Sequence, residues 1–584
     1  MQIALMSLHS ASKYVLSLWI TVVAFSSQPF GELHAQPTVS PPTVSPQAVG
    51  PQAVGPLRFT EVTESSGITW EHTTGRSKRG YIVEGIASGL ASFDYDGDGL
   101  IDLFLLNGKQ LVDKQSNTNE KAGFFRNLGD FRFNDVSSLT GVDGSGYGLG
   151  VCAADYDGDG FPDLFINNFG CNRLYLNCGD GTFCETTEFA RIGDGEKVGG
   201  GVAFADFNGD QLLDLYVGNY VDFTLENSVF IERNGQVYHA GPRYYRPVPD
   251  TLFQNVGDGT FENISVQSGI AKHAGPTMGL IAADLNQDGK VDVFTCNDAK
   301  PNFYFINDGK SNFIEEGILS GLAFDFRGTS NASMGVDMGD FDGDGLQDLI
   351  LTNYQNELPV LYRNLGDGQF EDVSTTARIA EGLQPHVTWG CTLTDFDNNG
   401  TLDLYIGCGH FDDAEISDDR TAKKVRDFLM LNEKGRFTDV SLAVGLKAVE
   451  STRSIAFDDF DNDGDIDIVA LNSNARPTVL RNDLPNAKNW LQLELVAKSA
   501  NRRAIGSKVV VTYGEHQRHI QVICGRGYQS SYGDRLSVGL PHAELGMAQV
   551  LIEWPNRSVE TFQVPIGQRN QIVQDTGESP TGVK

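Results

Sequence analysis

The sequence predicts an all-β fold: a seven-bladed β-propeller followed by a small C-terminal all-β domain. Three observations predict it. An acidic unit, D-x-[DN]-x-[DN]-G-x-x-D, recurs seven times with small departures, beginning at Asp94, Asp155, Asp206, Asp284, Asp340, Asp395 and Asp459. A second unit, close to "LYxNxGDGxFxDVS", follows most copies, and its strand, Gly-containing turn and strand read as a hairpin. The 66 glycines among 584 residues match a chain of many short strands joined by turns.

Each period therefore holds about four short strands, the content of one propeller blade. The array runs over residues 57–482. Its seventh copy stops at "VLRND" (479–483) without the closing F-x-D-V strand, whereas the folded part opens with "FTEVTESSGI" (59–68), which matches the missing piece. The N-terminal strand is thus expected to complete the last blade, which leaves no open sheet edge.

The acidic units raise a physical problem. Like charges a few ångströms apart cost roughly 1 kcal/mol per pair even at water-like dielectric, and no counter-charge is evident around these clusters. Side chains one, three and five can point at one centre, a carbonyl at seven and Asp at nine complete an oxygen cage, and Gly at six permits the sharp turn. Such a cage suits Ca²⁺. The expected ligand sets are Asp94, Asp96, Asp98 and Asp102; Asp155, Asp157, Asp159 and Asp163; Asp206, Asn208, Asp210 and Asp214; Asp284, Asn286, Asp288 and Asp292; Asp340, Asp342, Asp344 and Asp348; Asp395, Asp397, Asn399 and Asp403; and Asp459, Asp461, Asp463 and Asp467. Up to seven ions follow, bound on the order of 10⁻⁴ to 10⁻³ M as in extracellular modules. An EF-hand is excluded, because position twelve is Leu105, Ile166, Val217, Thr295, Leu351, Ile406 or Ala470, where that motif needs Glu.

The ends of the chain set its expected destination. Residues 1–35 carry Lys13, a 12-residue apolar run "YVLSLWITVVAF" and "LHA" before residue 36, the pattern of a cleaved secretory signal peptide. The run is too short for a membrane helix, which needs about 20 residues, so no membrane span is expected in the mature chain, which is placed as secreted or at the cell surface. Residues 36–56 are a Pro-rich spacer, "QPTVSPPTVSPQAVGPQAVGP", extended because proline forbids helix and sheet at this density. The net charge of −33 excludes nucleic acid as a partner class and favours cations. Residues 489–575 read as short strands of a separate β domain, and 576–584 as a flexible tail. That C-terminal domain holds nine Lys and Arg against seven Asp and Glu, so attraction to the acidic array and a merely solvated surface are both open. Eight cysteines form no CxxC pair; Cys178 with Cys184 and Cys391 with Cys408 are candidate pairs, with free thiols as the alternative for each.

The repeats resemble the FG-GAP/VCBS blades of integrin α-chain propellers. "NRRAIGSKVVVTYG", "GRGYQSSYGDRLSVGLP" and "VLIEWPNRSVETF" resemble the ASPIC/UnbV domain. Together they cover nearly all the mature chain and are similar to the cartilage acidic protein/UnbV family of secreted proteins. "AGPRYYRPVPDTLFQNVGDGTF" also resembles bacterial members, many of which carry Cys where this chain has Ala240. The resemblance implies extracellular calcium binding with adhesion or interaction, and it brings no catalytic residues.

The function expected from the sequence is therefore a secreted, calcium-binding, non-enzymatic adhesion or interaction protein with an extracellular protein or glycan ligand. The insertion 222–250, bearing Tyr238, His239, Arg243, Tyr244, Tyr245 and Arg246, is the candidate contact loop, since aromatics with Arg are frequent in contact hot spots; packing over its own blade is the alternative. A carbohydrate-binding lectin or polysaccharide-matrix component is the second reading, with Trp70, Trp389 and Trp490 available for stacking on sugars or for the core. A hydrolase ranks third: no G-x-S-x-G or HExxH motif occurs, and His386, His410, His516 and His519 are scattered.

Overall fold

A computed structural model of the chain describes residues 56–579 apart from 78–79, 87, 113–119, 145, 194, 234–235, 412–421, 486–488, 534 and 542–545. The expected signal peptide and nearly all of the spacer lie outside the described residues, as does the end of the tail. The described residues fall within one compact unit, Ala53–Lys584.

The architecture is all-β. Seven four-stranded antiparallel meanders follow one another. They comprise 90–93, 102–105, 123–127 and 133–135; then 147–154, 163–170, 173–177 and 183–185; then 197–205, 214–219, 251–255 and 261–263. The fourth to sixth comprise 277–283, 292–297, 303–307 and 313–315; 336–339, 348–351, 360–364 and 370–372; and 388–394, 403–408, 428–433 and 436–439. The seventh takes 452–458, 467–472 and 478–482 from one end of the array and Phe59–Glu61 from the other, in the register Phe59↔Asn482 and Glu61↔Leu480. The second and third sheets are also stitched together through Lys197↔Gly170 and Val198↔Phe169.

Side-chain size explains how the first strands pack. Sequences such as "YGLGVCAA", "KVGGGVAFA" and "TMGLIAA" are buried nearly throughout, so they lack the alternation of a sheet with one wet face. Their glycines mark close backbone approach. A Cβ on Gly150 would lie 2.1 Å from Gly200 O in the next sheet, and one on Gly335 2.3 Å from Trp389 O. Ser454 of the seventh sheet in turn donates to Ser88 O beside the first.

Beyond the array, strands 536–539, 490–496 and 569–573 form one sheet and 516–521, 508–513, 547–553 and 559–565 another. Leu491, Leu493, Val509, Val511, Val550, Ile552 and Trp554 pack together as their core. Between strands 516–521 and 536–539, the segment 523–533 runs in among the first strands of the array. Ser531 and Gln529 pair with Leu90, Ser92 and Val151 through backbone hydrogen bonds, and Gly527 exchanges two with Val336. The Tyr528 hydroxyl donates to Ile86 O at 2.6 Å and that of Tyr532 to Cys391 O at 3.0 Å. Arg526 pairs at 2.6 Å with the fully buried Asp337.

Candidate metal centre

Each acidic unit forms the loop between the first and second strands of its sheet. The first Asp organises it. Asp94 Oδ1 accepts from Gly97 N and its Oδ2 from Gly99 N, both at 2.8 Å; the same clasp recurs at Asp155, Asp206 and Asp340, whereas Asp395 and Asp459 take the position-five N–H of Asn399 and Asp463 on Oδ1 and keep the position-six N–H on Oδ2. The clasp requires left-handed backbone at position six, where Gly99 has φ 83° and Gly345 φ 91°. The third copy has Gln211 there, at φ 70°, which shows that the turn tolerates a side chain at some conformational cost.

The Asp at position nine does more than face a cage. Asp102 Oδ1 accepts from Asn127 N at 2.7 Å, and its Oδ2 accepts from Tyr95 N at 3.2 Å. Asp163, Asp214, Asp348, Asp403 and Asp467 repeat both bonds; Asp292 takes Asn307 N and the Tyr304 hydroxyl instead. The Asn that each one holds then reaches out of its own sheet. Asn177 donates to Tyr95 O, Asn255 to Tyr156 O, Asn307 to Phe207 O, Asn364 to Leu285 O, Asn432 to Phe341 O and Asn482 to Phe396 O, all at 2.8–3.0 Å. Each acceptor is position two of the preceding loop. The amide is the N of "LYxN", a recurrent residue whose bridging role the sequence reading missed.

Convergence of the expected ligands is clearest in five loops. Carboxylate oxygens from Asp94, Asp96 and Asp102 lie within 4.8 Å of one another, as do those of Asp155, Asp157 and Asp163; Asp340, Asp342 and Asp344; Asp395, Asp397 and Asp403; and Asp459, Asp461 and Asp467. The other two loops carry Asn208 and Asn286 at position three. Burial pushes the carboxyls upward: Asp102, Asp214 and Asp348 to about 8, Asp292 and Asp395 to about 7, and Asp155 and Asp459 to about 6. Asp163, Asp403 and Asp467 are held well above the usual range for the same reason.

These residues fit a hard cation. Asp461 Oδ1 and Asp284 Oδ1 are buried oxygens without a hydrogen-bond partner, and so is Asp465 Oδ1, at position seven of the last loop. Asp465 was absent from the expected ligand sets because only a carbonyl was assigned to that position. Its carboxyl is pushed up to about 9 by burial and by Asp463.

The expectation that the clusters lack counter-charge is corrected by the structure. Arg126 sits 2.6 Å from Asp96 and 2.9 Å from Asp98, and Arg363 sits 2.7 Å from Asp342 and 3.1 Å from Asp344. Both arginines occupy the x of "LYxN", on the third strand, where the antiparallel meander carries them back beside the loop. Lys290 pairs with Asp288 at 2.9 Å, and Lys508 with Asp284 at 2.5 Å.

Lys508 belongs to a wider contact. Gln521 bonds both Asp284 N and Asp284 O, Arg535 and Arg569 donate to Gly99 O, and Arg502 donates to Gly158 O. Arg518 donates to Asp340 O, Asn489 to Asn398 O, and Gln492 to Asp459 Oδ2. The C-terminal sheets thus dock on the acidic loops, and with Arg526 at least six of their nine basic residues reach the array.

Cys178 and Cys184 face each other with Sγ atoms 2.8 Å apart. Cys391 and Cys408 are buried and occupy different registers, Cys391 opposite Ile406 and Cys408 opposite Thr388. Trp389 is fully buried with Arg453 stacked over it at 4.1 Å. His410 bonds Gln355 at 3.2 Å, and His386 packs on Phe428. In the 222–250 insertion Tyr245 turns inward onto Phe223, whereas Tyr244 is 59 % exposed.

The FG-GAP-like repeat model matches residues 94–166, 155–217, 240–295, 284–351 and 340–406, and the ASPIC and UnbV model matches 497–579. Cartilage acidic protein 1 of Xenopus tropicalis is 23 % identical over 529 residues, covering 85 % of this chain and 75 % of its own length. The Homo sapiens protein of that name is 23 % identical over 502 residues, covering 82 % and 70 %. Among solved structures, an Agrocybe aegerita lectin that recognises non-reducing terminal N-acetylglucosamine aligns at 18 % identity and a TM-score of 0.39, covering 66 % of this chain and 88 % of the lectin. With FG-GAP-like repeats and an ASPIC and UnbV segment in one chain, and with these relatives over most of its length, the protein belongs to the ASPIC/UnbV family.

Proposed function

We propose that the chain is an exported, calcium-binding, non-enzymatic extracellular interaction protein whose seven sheets are the blades of a closed propeller. The observation that carries the reading is the convergence of carboxylates in five loops, with buried aspartates such as Asp102 and Asp348 in the same loops whose raised proton affinities record the cost of keeping them charged. In each loop the ligands are those at positions one, three, five and nine, with Asp465 added in the last. Calcium bound there supplies the positive charge that burial demands. The clasp at position one and the clamp at position nine hold the loop in shape for it. The division into signal peptide (1–35), spacer (36–56), propeller (57–482), ASPIC/UnbV-like domain (489–575) and tail (576–584) belongs to the same reading.

The docked C-terminal sheets cover the loop end of the array, so the partner surface lies at the other end, where the first strands begin. There a cavity of about 480 Å³ is lined by Tyr238, Arg243, Tyr244, Asp298, Glu357 and Trp389, among others. The shared relative name, cartilage acidic protein, agrees with an extracellular setting. Calorimetric titration of the mature chain with calcium tests the reading. Saturable uptake of several ions, reduced by one in Asp155→Ala, is the expected result; no saturable uptake in the millimolar range would remove it.

The cavity favours the second reading, a lectin, over a hydrolase, because aromatic rings beside carboxylates and Arg suit sugar faces and hydroxyls. Binding to a glycan array that is lost in Tyr244→Ala but retained in Asp155→Ala with calcium present would select it over protein adhesion.

A further inference from the structure

Cys524 is the second residue of the segment 523–533, and its thiol does not sit alone. Its Sγ lies 3.0 Å from Sγ of Cys152 in the first strand of the second sheet, 372 residues away in the chain. Non-bonded carbon atoms rest about 3.5–4.0 Å apart and sulfur is the larger atom, so the two sulfurs are pressed closer than ordinary packing. Both residues are buried, at 0 % and 7 % exposure. The backbone on each side is pinned. Cys152 lies between Val151, whose N–H donates to Gln529 O, and Ala153, whose N–H donates to Ser531 Oγ. Gly525, next to Cys524, is pressed against Val202 O of the third sheet, where an added Cβ would lie 2.0 Å away. The two thiols are therefore held against each other by hydrogen bonds and packing that do not depend on them.

We infer that Cys152 and Cys524 are joined by a disulfide that fastens the C-terminal sheets to the array. Cys524 is the single cysteine after residue 408, so any covalent link from the C-terminal sheets to the array through sulfur must pass through it. The bond forms by exchange with a disulfide donor of an oxidising compartment, a protein or small-molecule disulfide. One cysteine thiolate attacks the donor and releases one donor thiol. The second cysteine thiolate then attacks the mixed disulfide and releases the other. The electron pair and both protons end on the donor as two thiols. Both attacks precede the docking of 523–533, since the finished site is closed to a donor. The inference rests on export, which is part of the functional reading above, but not on calcium.

Peptide mapping of the full-length chain, isolated from an oxidising compartment and digested without reduction, tests it. A peptide pair joining Cys152 to Cys524, two hydrogens lighter than its separate halves and split by a reductant, is expected. Quantitative alkylation of both cysteines in the denatured, unreduced chain would overturn it, as would linkage of Cys524 to any other cysteine. Cys524→Ser supplies a second readout if it folds: its melting temperature falls by several degrees, and a reductant brings the native chain down to the same value. Equal melting temperatures for the native and Cys524→Ser chains, unaffected by reductant, would also contradict the bond.

Discussion

Asn127 Nδ2 donates to Phe460 O at 2.8 Å, from the third strand of the first sheet to the acidic loop of the seventh. The other six sheets make the same bond to the sheet before them, so this one bond returns the series to its start. Asn127 Nδ2 also donates to Ile101 O, and its backbone N–H donates to Asp102. One amide thus connects a buried carboxylate, its own hairpin and its neighbour.

Asn127→Ala strands two buried carbonyls. An unsatisfied buried group costs about 1–3 kcal/mol, so the variant is expected to lose roughly 2–4 kcal/mol in denaturant unfolding. Asn307→Ala, at the corresponding position of the fourth sheet, is expected to match it. A large loss at one site with none at the other would show that the sheets are not equivalent.

Lys508 lies on the first carboxylate of the fourth loop, where position three is Asn286. The ammonium supplies positive charge to that carboxylate. The fourth of the seven loops is therefore expected to fill last, so that native protein retains fewer calcium ions than Lys508→Met, counted by elemental analysis after dialysis against limiting calcium. Equal counts in the two proteins contradict this.

Arg526 and Asp337 form a buried ion pair, and Asp337 also accepts from Thr392 Oγ1 and Leu393 N. Breaking such a pair by removing one partner costs about 3–5 kcal/mol. Arg526→Met should loosen segment 523–533 and raise its amide exchange, while exchange in the outer strands of the array changes little. Unaltered protection of 523–533 would deny that this pair anchors the segment.

His72 accepts from Asn474 N at Nδ1 and faces Ser88 Oγ at 2.7 Å with Nε2. Burial, reinforced by Arg453 and Arg76, lowers its pKa from 6.5 to about 3. The folded state therefore keeps it neutral while the unfolded chain protonates it. Its contribution is present above pH 6.5 and is lost as pH falls toward 3, by roughly 1.4 kcal/mol per pH unit. His72→Gln should flatten the acid limb of the stability profile over that window; an unchanged slope would assign the acid sensitivity to other groups.

The loops and sheets were legible in sequence because their signals are local and repeated. Nine-residue spacing marked the turns, and the strand missing at residue 482 pointed to Phe59–Glu61. The counter-charges Arg126 and Arg363 were overlooked because they lie outside the nine-residue unit and return to it only through the meander. Asp465 was overlooked because position seven was read as backbone alone. The course of 523–533 was not legible at all. Its partners Leu90, Val151, Val336 and Cys391 lie more than 100 residues away, and nothing in "CGRGYQSSYG" distinguishes a segment threaded among strands from a surface loop. The basic balance of the C-terminal sheets hinted at attraction to the acidic array, but only the geometry of Arg502, Lys508, Arg518 and Arg535 turned it into a contact.

Thermal melting of the purified mature chain in calcium and in excess chelator tests the central claim most directly. Filling several buried acidic loops that bind in the folded state alone should raise the melting temperature by more than about 5 °C, with the gain shrinking as position-one aspartates are replaced in turn. Identical melting temperatures with and without calcium would contradict the account.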